Sequence, residues 1–575
     1  MNKSILILIL LFSIIAISSQ EVEKDTIGTE EINIVKPYTP KIKDAFKVKK
    51  SPKQGDDSIN NKKQVEYSIN SVPVASTFTP AKGKAKGVSR KKKERIYDNY
   101  ASVGFGNYTT PKIEVFARTS STRDNEFGGT LNFHSSNGDV KNAILDTDFM
   151  HVGLDLFYKN SSRDMDWQVD GGYTYNKQNW YGLHNPDLFN QAQIDLIDEK
   201  QVYNTIRIGG NIDYYDSYFK GVKADVNIFT DAYKSSEFQL VAIPKFEFPL
   251  STELLNTDVR LEFIGGNFDK NYVTDDSINY GYYNLGVSPN FKVLRDYFTF
   301  NLGANLVYSG AVQENAKSKF YIYPNVTASY ELIPDVMTLY AGVTGNLYQQ
   351  SYRKFAEENP FVSPTLDVRR TDEQYNAKFG AKGKLASYIS YNLNASYKSE
   401  NDKAFYKLND DLTNTITTRN YQYANSFGIV HDNVKTFGVF GELVIDFTKE
   451  ISFGGNANFN TYNNDVQDEA WNLPSLKASV FANYHTKKWL AGAKLFFVSE
   501  REDLYTNSLL FVPVSNKIIN KSYIDLNLNL GYNFTDRLTA FINGSNLFST
   551  KYQTYTNFRV QGIQVLGGVK YKFDL

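Results

Sequence analysis

The chain has 575 residues, with 63 basic against 63 acidic side chains and no cysteine. A formal net charge of zero leaves no electrostatic footprint for nucleic acid, and the lack of cysteine excludes disulfides, thiolate metal sites and thiol nucleophiles. Aromatic residues make up 15% of the chain, yet its mean hydropathy is negative, so the aromatics are interleaved with polar residues.

Residues 1–20 have the form of a signal peptide. Lys3 supplies a short positive start, Ile5 to Ile17 an apolar run broken only by Ser13, and Ala16 and Ser18 the small residues of a cleavage site. Beyond it no stretch reaches the about 20 apolar residues that a spanning helix needs. Residues 21–96 form an extended periplasmic tail rich in Lys and Pro, including Pro37, Pro40, Pro52, Pro73 and Pro80. Within it, 30–40 (EEINIVKPYTP) and the following AFKV mix β-formers with proline, as segments that dock in extended form do. The docking residues expected there are Ile32, Ile34, Val35, Pro37, Tyr38, Pro40 and Phe46. A basic run at 82–95 sits just before the first strand, where it can meet lipid phosphates or an acidic partner, or serve as a plain tether.

From Tyr97 to the end one pattern recurs, a period-two alternation of apolar and polar residues. Ile524, Leu526, Leu528, Leu530 and Tyr532 point one way, and Asp525, Asn527, Asn529 and Gly531 the other. Tyr391, Leu393, Ala395 and Tyr397 alternate with Asn392, Asn394 and Ser396, and Phe298 to Tyr308 repeats the pattern. This is the mark of strands with one apolar and one wet face. Their length, the aromatics near their ends and the Asn, Lys, Asp, Thr and Gly of the opposite face favour a membrane barrel over a soluble sandwich. The connections alternate as well. Short turns are expected at Arg295-Asp296, Ile333-Pro334-Asp335, Ser387-Tyr388, Thr448-Lys449-Glu450, Thr486-Lys487-Lys488 and Thr535-Asp536-Arg537. Longer polar loops are expected at 183–200, 351–371, 400–425 and 501–520. Strands are predicted to start near 98, 112, 126, 148, 165, 201, 219, 237, 255, 278, 297, 318, 336, 372, 388, 428, 451, 474, 488, 521, 538 and 561. The expected fold is all-β, a single antiparallel transmembrane barrel of 20 to 22 strands over 97–575 in the outer membrane of a Gram-negative cell, with membrane lipid against its outer face.

The C-terminal segment carries a resemblance. Asn546-Leu547-Phe548, Lys551-Tyr552-Gln553, Gly567-Gly568-Val569 and Tyr571-Lys572-Phe573 resemble the last strands of TonB-dependent receptors, an NLF…KY stretch followed by a strand ending in Phe. The resemblance implies that Tyr571 and Phe573 form the signal recognised by the barrel-assembly machinery, although Asp574 and Leu575 follow. It also implies a plug domain between signal peptide and barrel. Here that interval is residues 21–96, without a globular pattern, so the expectation is a plugless barrel whose wide lumen is filled by the long loops, the tail or a partner. Glu30-Glu31-Ile32-Asn33-Ile34-Val35 resembles a TonB box, the short strand that pairs with TonB, and suits another envelope protein equally.

No catalytic constellation emerges. His134, His151, His184, His431 and His485 stand in no paired-ligand spacing, and neither GxSxG nor a phosphate loop is present. Asp146/Asp148 and Asp275/Asp276 are acidic pairs that could hold Ca²⁺, but solvated loop acids are the simpler reading. The expectation is no enzyme, no cofactor and no metal. It is a channel or transport-related barrel gated by loops or a partner; the alternative is a structural accessory barrel whose tail docks another envelope complex.

Overall fold

The computed structural model describes residues 97–575 apart from 123, 185–186, 188, 251–252, 313–317, 413–417 and 508–513. Twenty-two antiparallel strands form one sheet. The sheet closes on itself, because the first strand, Asn99–Gly106, pairs with both the second and the last, Gln564–Phe573. Closure removes every sheet edge and satisfies the backbone within the ladder, which a chain in hydrocarbon requires. Among the described residues no helix is long and apolar enough to cross a membrane.

Every predicted strand start lies within three residues of the observed one, the largest offset being 561 against Gln564. The segment from Phe427 to Ile445 is one strand. One predicted loop is shorter than expected. The strand beginning at Ile389 continues to Leu408, into a region expected to be loop from residue 400. A register shift between Glu400 and Lys403 carries it past Asn401 and Asp402, which break the alternation.

Alternation places the two faces. On Lys200–Tyr214, Ile206 and Ile208 are 45% and 57% exposed on the outer wall, while Arg207 between them faces the lumen. There it pairs with Asp170 at 2.5 Å and Asp225 at 3.3 Å, both on neighbouring strands. The outer wall repeats this pattern with Leu154, Leu302, Phe379, Leu393, Val480 and Ile542, all exposed. Exposed apolar side chains all round a closed barrel require lipid as their solvent, and the chain is an outer-membrane β-barrel.

The connections sort by length onto the two ends. Those at the end holding Tyr97 and the C-terminus are short, such as 296–297, 334–336 and 387–388. Those at the other end include 137–148, 180–199, 350–369, 409–426, 499–522 and 546–563.

Candidate functional site: a loop cap over one mouth of the barrel

The long loops do not stand free in solvent. Their aromatic residues collect with others from the strand ends into one core. Its largest members are Trp180, Tyr203, Phe268, Tyr352, Phe427 and Phe558, all buried. Three loops reach its middle: 180–199, 350–369 and 546–563. They follow the fifth, thirteenth and twenty-first strands, so they rise eight, eight and six strands apart around a ring of 22. Loops from sectors so spaced can touch only above the lumen. Phe361 and Phe558 stack with centroids 3.6 Å apart, and Tyr181 meets them edge-on at 5.9 and 5.1 Å. The Tyr181 hydroxyl donates to the Arg559 carbonyl at 2.8 Å, and a Cβ on Gly182 would sit 2.7 Å from the Phe558 ring. Such close aromatic contact excludes water from the centre of the mouth.

The loop 350–369 is tied to the wall along its length. It begins with a short helix, Tyr352–Glu358, capped by the Ser351 side chain, which accepts from Lys354 N. The Glu237 carboxylate, on the wall, accepts from the first two amides of that helix, Tyr352 N at 2.6 Å and Arg353 N at 3.3 Å, and from the Tyr280 hydroxyl at 2.7 Å. These amides have no partner within the helix, so a wall carboxylate is the natural anchor. Further along, Tyr203 donates to the Pro360 carbonyl and Tyr282 to the Val368 carbonyl, each at 2.9 Å. Phe427 N donates to the Phe361 carbonyl and Ser363 N to the Phe427 carbonyl, also at 2.9 Å, so the loop pairs like a strand with the start of Phe427–Ile445, two strands along the wall.

A second anchor lies in loop 499–522, which forms its own two-stranded hairpin, Arg501–Asn507 against Val514–Asn520. Asp503 is fully buried. Its carboxylate accepts from Leu504 N at 2.8 Å, Leu408 N at 3.1 Å and the Thr556 hydroxyl at 2.5 Å, joining hairpin, strand end and the loop 546–563. Burial pushes the Asp503 carboxyl above the usual carboxylate range, opposed by these hydrogen bonds. Arg501 donates to the carbonyls of Gln553 and Thr554 beside it.

Beside the seal lies a cleft of about 590 Å³, lined among others by Lys141, Tyr181, His184, Gln553, Asn557 and Arg559. His184 stacks on Tyr505 at 4.0 Å, and burial pushes its imidazole below the usual range.

The expected docking residues Ile32, Ile34, Val35, Pro37, Tyr38, Pro40 and Phe46 lie outside the described residues, as do the signal peptide and the tail 21–96. Tyr571 and Phe573 lie on the closing strand, opposite Ala101 and Asn99 at the short-turn end. His134 and His151 are cross-strand neighbours, and His151 Nδ1 lies 2.5 Å from the Asn176 amide oxygen. Asp148 is paired with Lys177, and Asp275 with Lys270 and Arg419. Among the described residues no cluster of His, Asp and Glu is arranged to hold a metal ion. Loops were one of the expected fillings of the lumen, but the residues that meet in the cap were not named. The signal was present in Phe355, Phe361, Val362 and Leu366 within one loop, too apolar for a solvated connection.

No protein-family model and no curated protein sequence matches the chain. Solved structures do share its fold. The pyoverdine outer membrane receptor FpvA from Pseudomonas aeruginosa, bound to pyoverdine, is 14% identical with a TM-score of 0.61, over 84% of this chain and 80% of that one. The FrpB iron transporter from Neisseria meningitidis is 10% identical with a TM-score of 0.62, over 84% and 82%. The copper transporter OprC is 12% identical with a TM-score of 0.59, over 83% and 80%. These are receptors and transporters rather than enzymes, and the chain shares with such TonB-dependent receptors the large closed barrel of the outer membrane.

Proposed function

We propose that this chain is a transport-related outer-membrane barrel without a plug domain, gated at its outer mouth by its own loops. The observation that carries the reading is the meeting of Tyr181, Phe361 and Phe558 from three sectors of the ring. A barrel of this size without a seal would leak, and a seal made of loops can open without unfolding the wall. The fold-level likeness to receptors and transporters supports the same class of function. In this reading residues 1–20 direct export, and Ile32 to Phe46 in the tail meet TonB or another envelope protein at the periplasmic face.

The test is current through the full-length protein in planar bilayers. Wild type is expected to be silent or to open rarely. The double variant Phe361→Ala, Phe558→Ala removes the stacked pair and should raise the open fraction by at least tenfold. A folded double variant that stays silent would overturn the gating. The second reading, a structural accessory barrel, is favoured by how firmly Glu237 and Asp503 bind the cap. It predicts no current from any cap variant, and loss of a co-purified envelope complex when residues 30–48 are deleted.

A further inference from the structure

The lumen wall is unevenly charged around the ring. On the strands from Phe149–Ser161 to Glu253–Phe268, acids and bases interleave and pair. Arg207 holds Asp170 and Asp225, Lys220 holds Glu247 at 3.0 Å, and Arg260 holds Glu262 at 3.2 Å. Charges paired in this way cancel within a Debye length.

About half the ring away the wall carries lysines with few acids. Lys378 and Lys382 lie on Arg370–Ala386, Lys477 on Leu476–His485, Lys494 on Trp489–Val498, and Lys570 and Lys572 on Gln564–Phe573. They alternate with the outward-facing Phe379, Val480, Val569 and Tyr571, so they face the lumen. None of the six forms an ion pair with a described residue, although Lys382 and Lys570 lie over the rings of Tyr340 and Tyr100. The acids on the same arc do not offset them. Glu373 and Glu400, nearer the cap, are engaged by Lys398 and Lys403. Asp372 accepts from the Tyr323 hydroxyl, Asp432 from Val466 N and Gln467 N, and Asp525 from Leu526 N, all three being buried, and Glu442 is the further acid of the arc.

We infer that this lysine face makes the lumen attract anions, and that the solutes admitted are carboxylate- or phosphate-bearing. Unpaired ammonium groups beside a low-dielectric wall focus a positive potential into the water they face, and rows of Lys set anion preference in pores. The inference names a solute class for the proposed transport function and rests on that reading.

The chain has no cysteine, so one introduced thiol reports the potential at one place. Asn527→Cys sits opposite Lys494 and Asn458→Cys opposite Lys477, whereas Asn227→Cys lies between Arg207 and Gln239 on the balanced wall. In purified full-length protein at low ionic strength, each thiol is reacted with a sulfonate-bearing and with a trimethylammonium-bearing methanethiosulfonate, and rates are normalised to a free thiol. The anionic reagent should be favoured about fivefold at 527 and 458, given two or three lysines within about a Debye length, and not at 227. Lys477→Gln with Lys494→Gln should remove the preference. Equal rates, a cationic preference, or thiols closed to both reagents would overturn the inference. Bilayer current separates it from the transport reading. Anionic preference without current in any cap variant removes transport and keeps the lumen potential. Current that favours cations removes the anion inference and keeps transport.

Discussion

Removing the Asp503 carboxylate is expected to release the loop cap while leaving the barrel closed. The carboxylate accepts from Leu504 N, Leu408 N and the Thr556 hydroxyl, and it is fully buried. Asp503→Ala leaves three donors without an acceptor, each costing about 1–3 kcal/mol. Part of this is offset, because the substitution also removes the desolvation cost of a buried carboxylate, so a net loss of about 3 kcal/mol is expected. That corresponds to roughly a hundredfold more frequent opening of the cap. The barrel ladder should be unaffected, since the hairpin carrying Asp503 belongs to a separate two-stranded sheet. Hydrogen exchange in reconstituted protein should show lost protection in 350–369 and 546–563 with strand protection unchanged. Asp503→Asn should cost less, because it keeps the shape and drops the charge. The pH dependence has a definite sign. Burial raises the folded-state pKa, so closing the cap takes up a proton between the ordinary carboxylate value and the raised one. Asp503 therefore favours the closed cap increasingly as pH falls through that window, and this is lost as pH rises through the folded pKa. Asp503→Asn should lack that slope. Wild-type protection in the Asp503→Ala cap would refute the reasoning.

Glu237→Ala should free the helix Tyr352–Glu358, since the carboxylate holds its first two amides, and trypsin added outside should then cut at Arg353 or Lys354. Cleavage no faster than wild type would count against this anchor. Gly221→Val should lower the yield of folded barrel, measured by heat-modifiable gel migration. Gly221 has φ of 145°, and a Cβ there would lie 1.9 Å from the Ile212 carbonyl oxygen. Tyr571→Ala with Phe573→Ala should lower the amount assembled in the outer membrane severalfold in cells, if these residues form the assembly signal. Unchanged assembly would leave them a structural role on the closing strand.

The strands were legible because what specifies them is local. Alternation along Tyr523–Asn533, with Ile524, Leu528 and Leu530 facing lipid and Asn527 facing water, is written in consecutive residues, and turns such as 387–388 leave no freedom in how neighbours pair. Twenty-two such strands, each hydrogen-bonded to the next, can satisfy their edges in lipid only by closing, so the barrel follows from the chain. The extension of one strand to Leu408 was hidden because Asn401 and Asp402 imitate a loop until the partner strand absorbs them in a shifted register. The cap was decided by tertiary structure alone. Phe361 and Phe558 are distant in sequence and obey no period, and their stacking depends on closure bringing three sectors of the ring to one mouth. Glu237 reads as one more polar residue of an alternating strand until Tyr352 places a helix N-terminus against it. The sequence by itself determined where the chain resides and how its wall is built, and closure of the ring determined what stands across the opening.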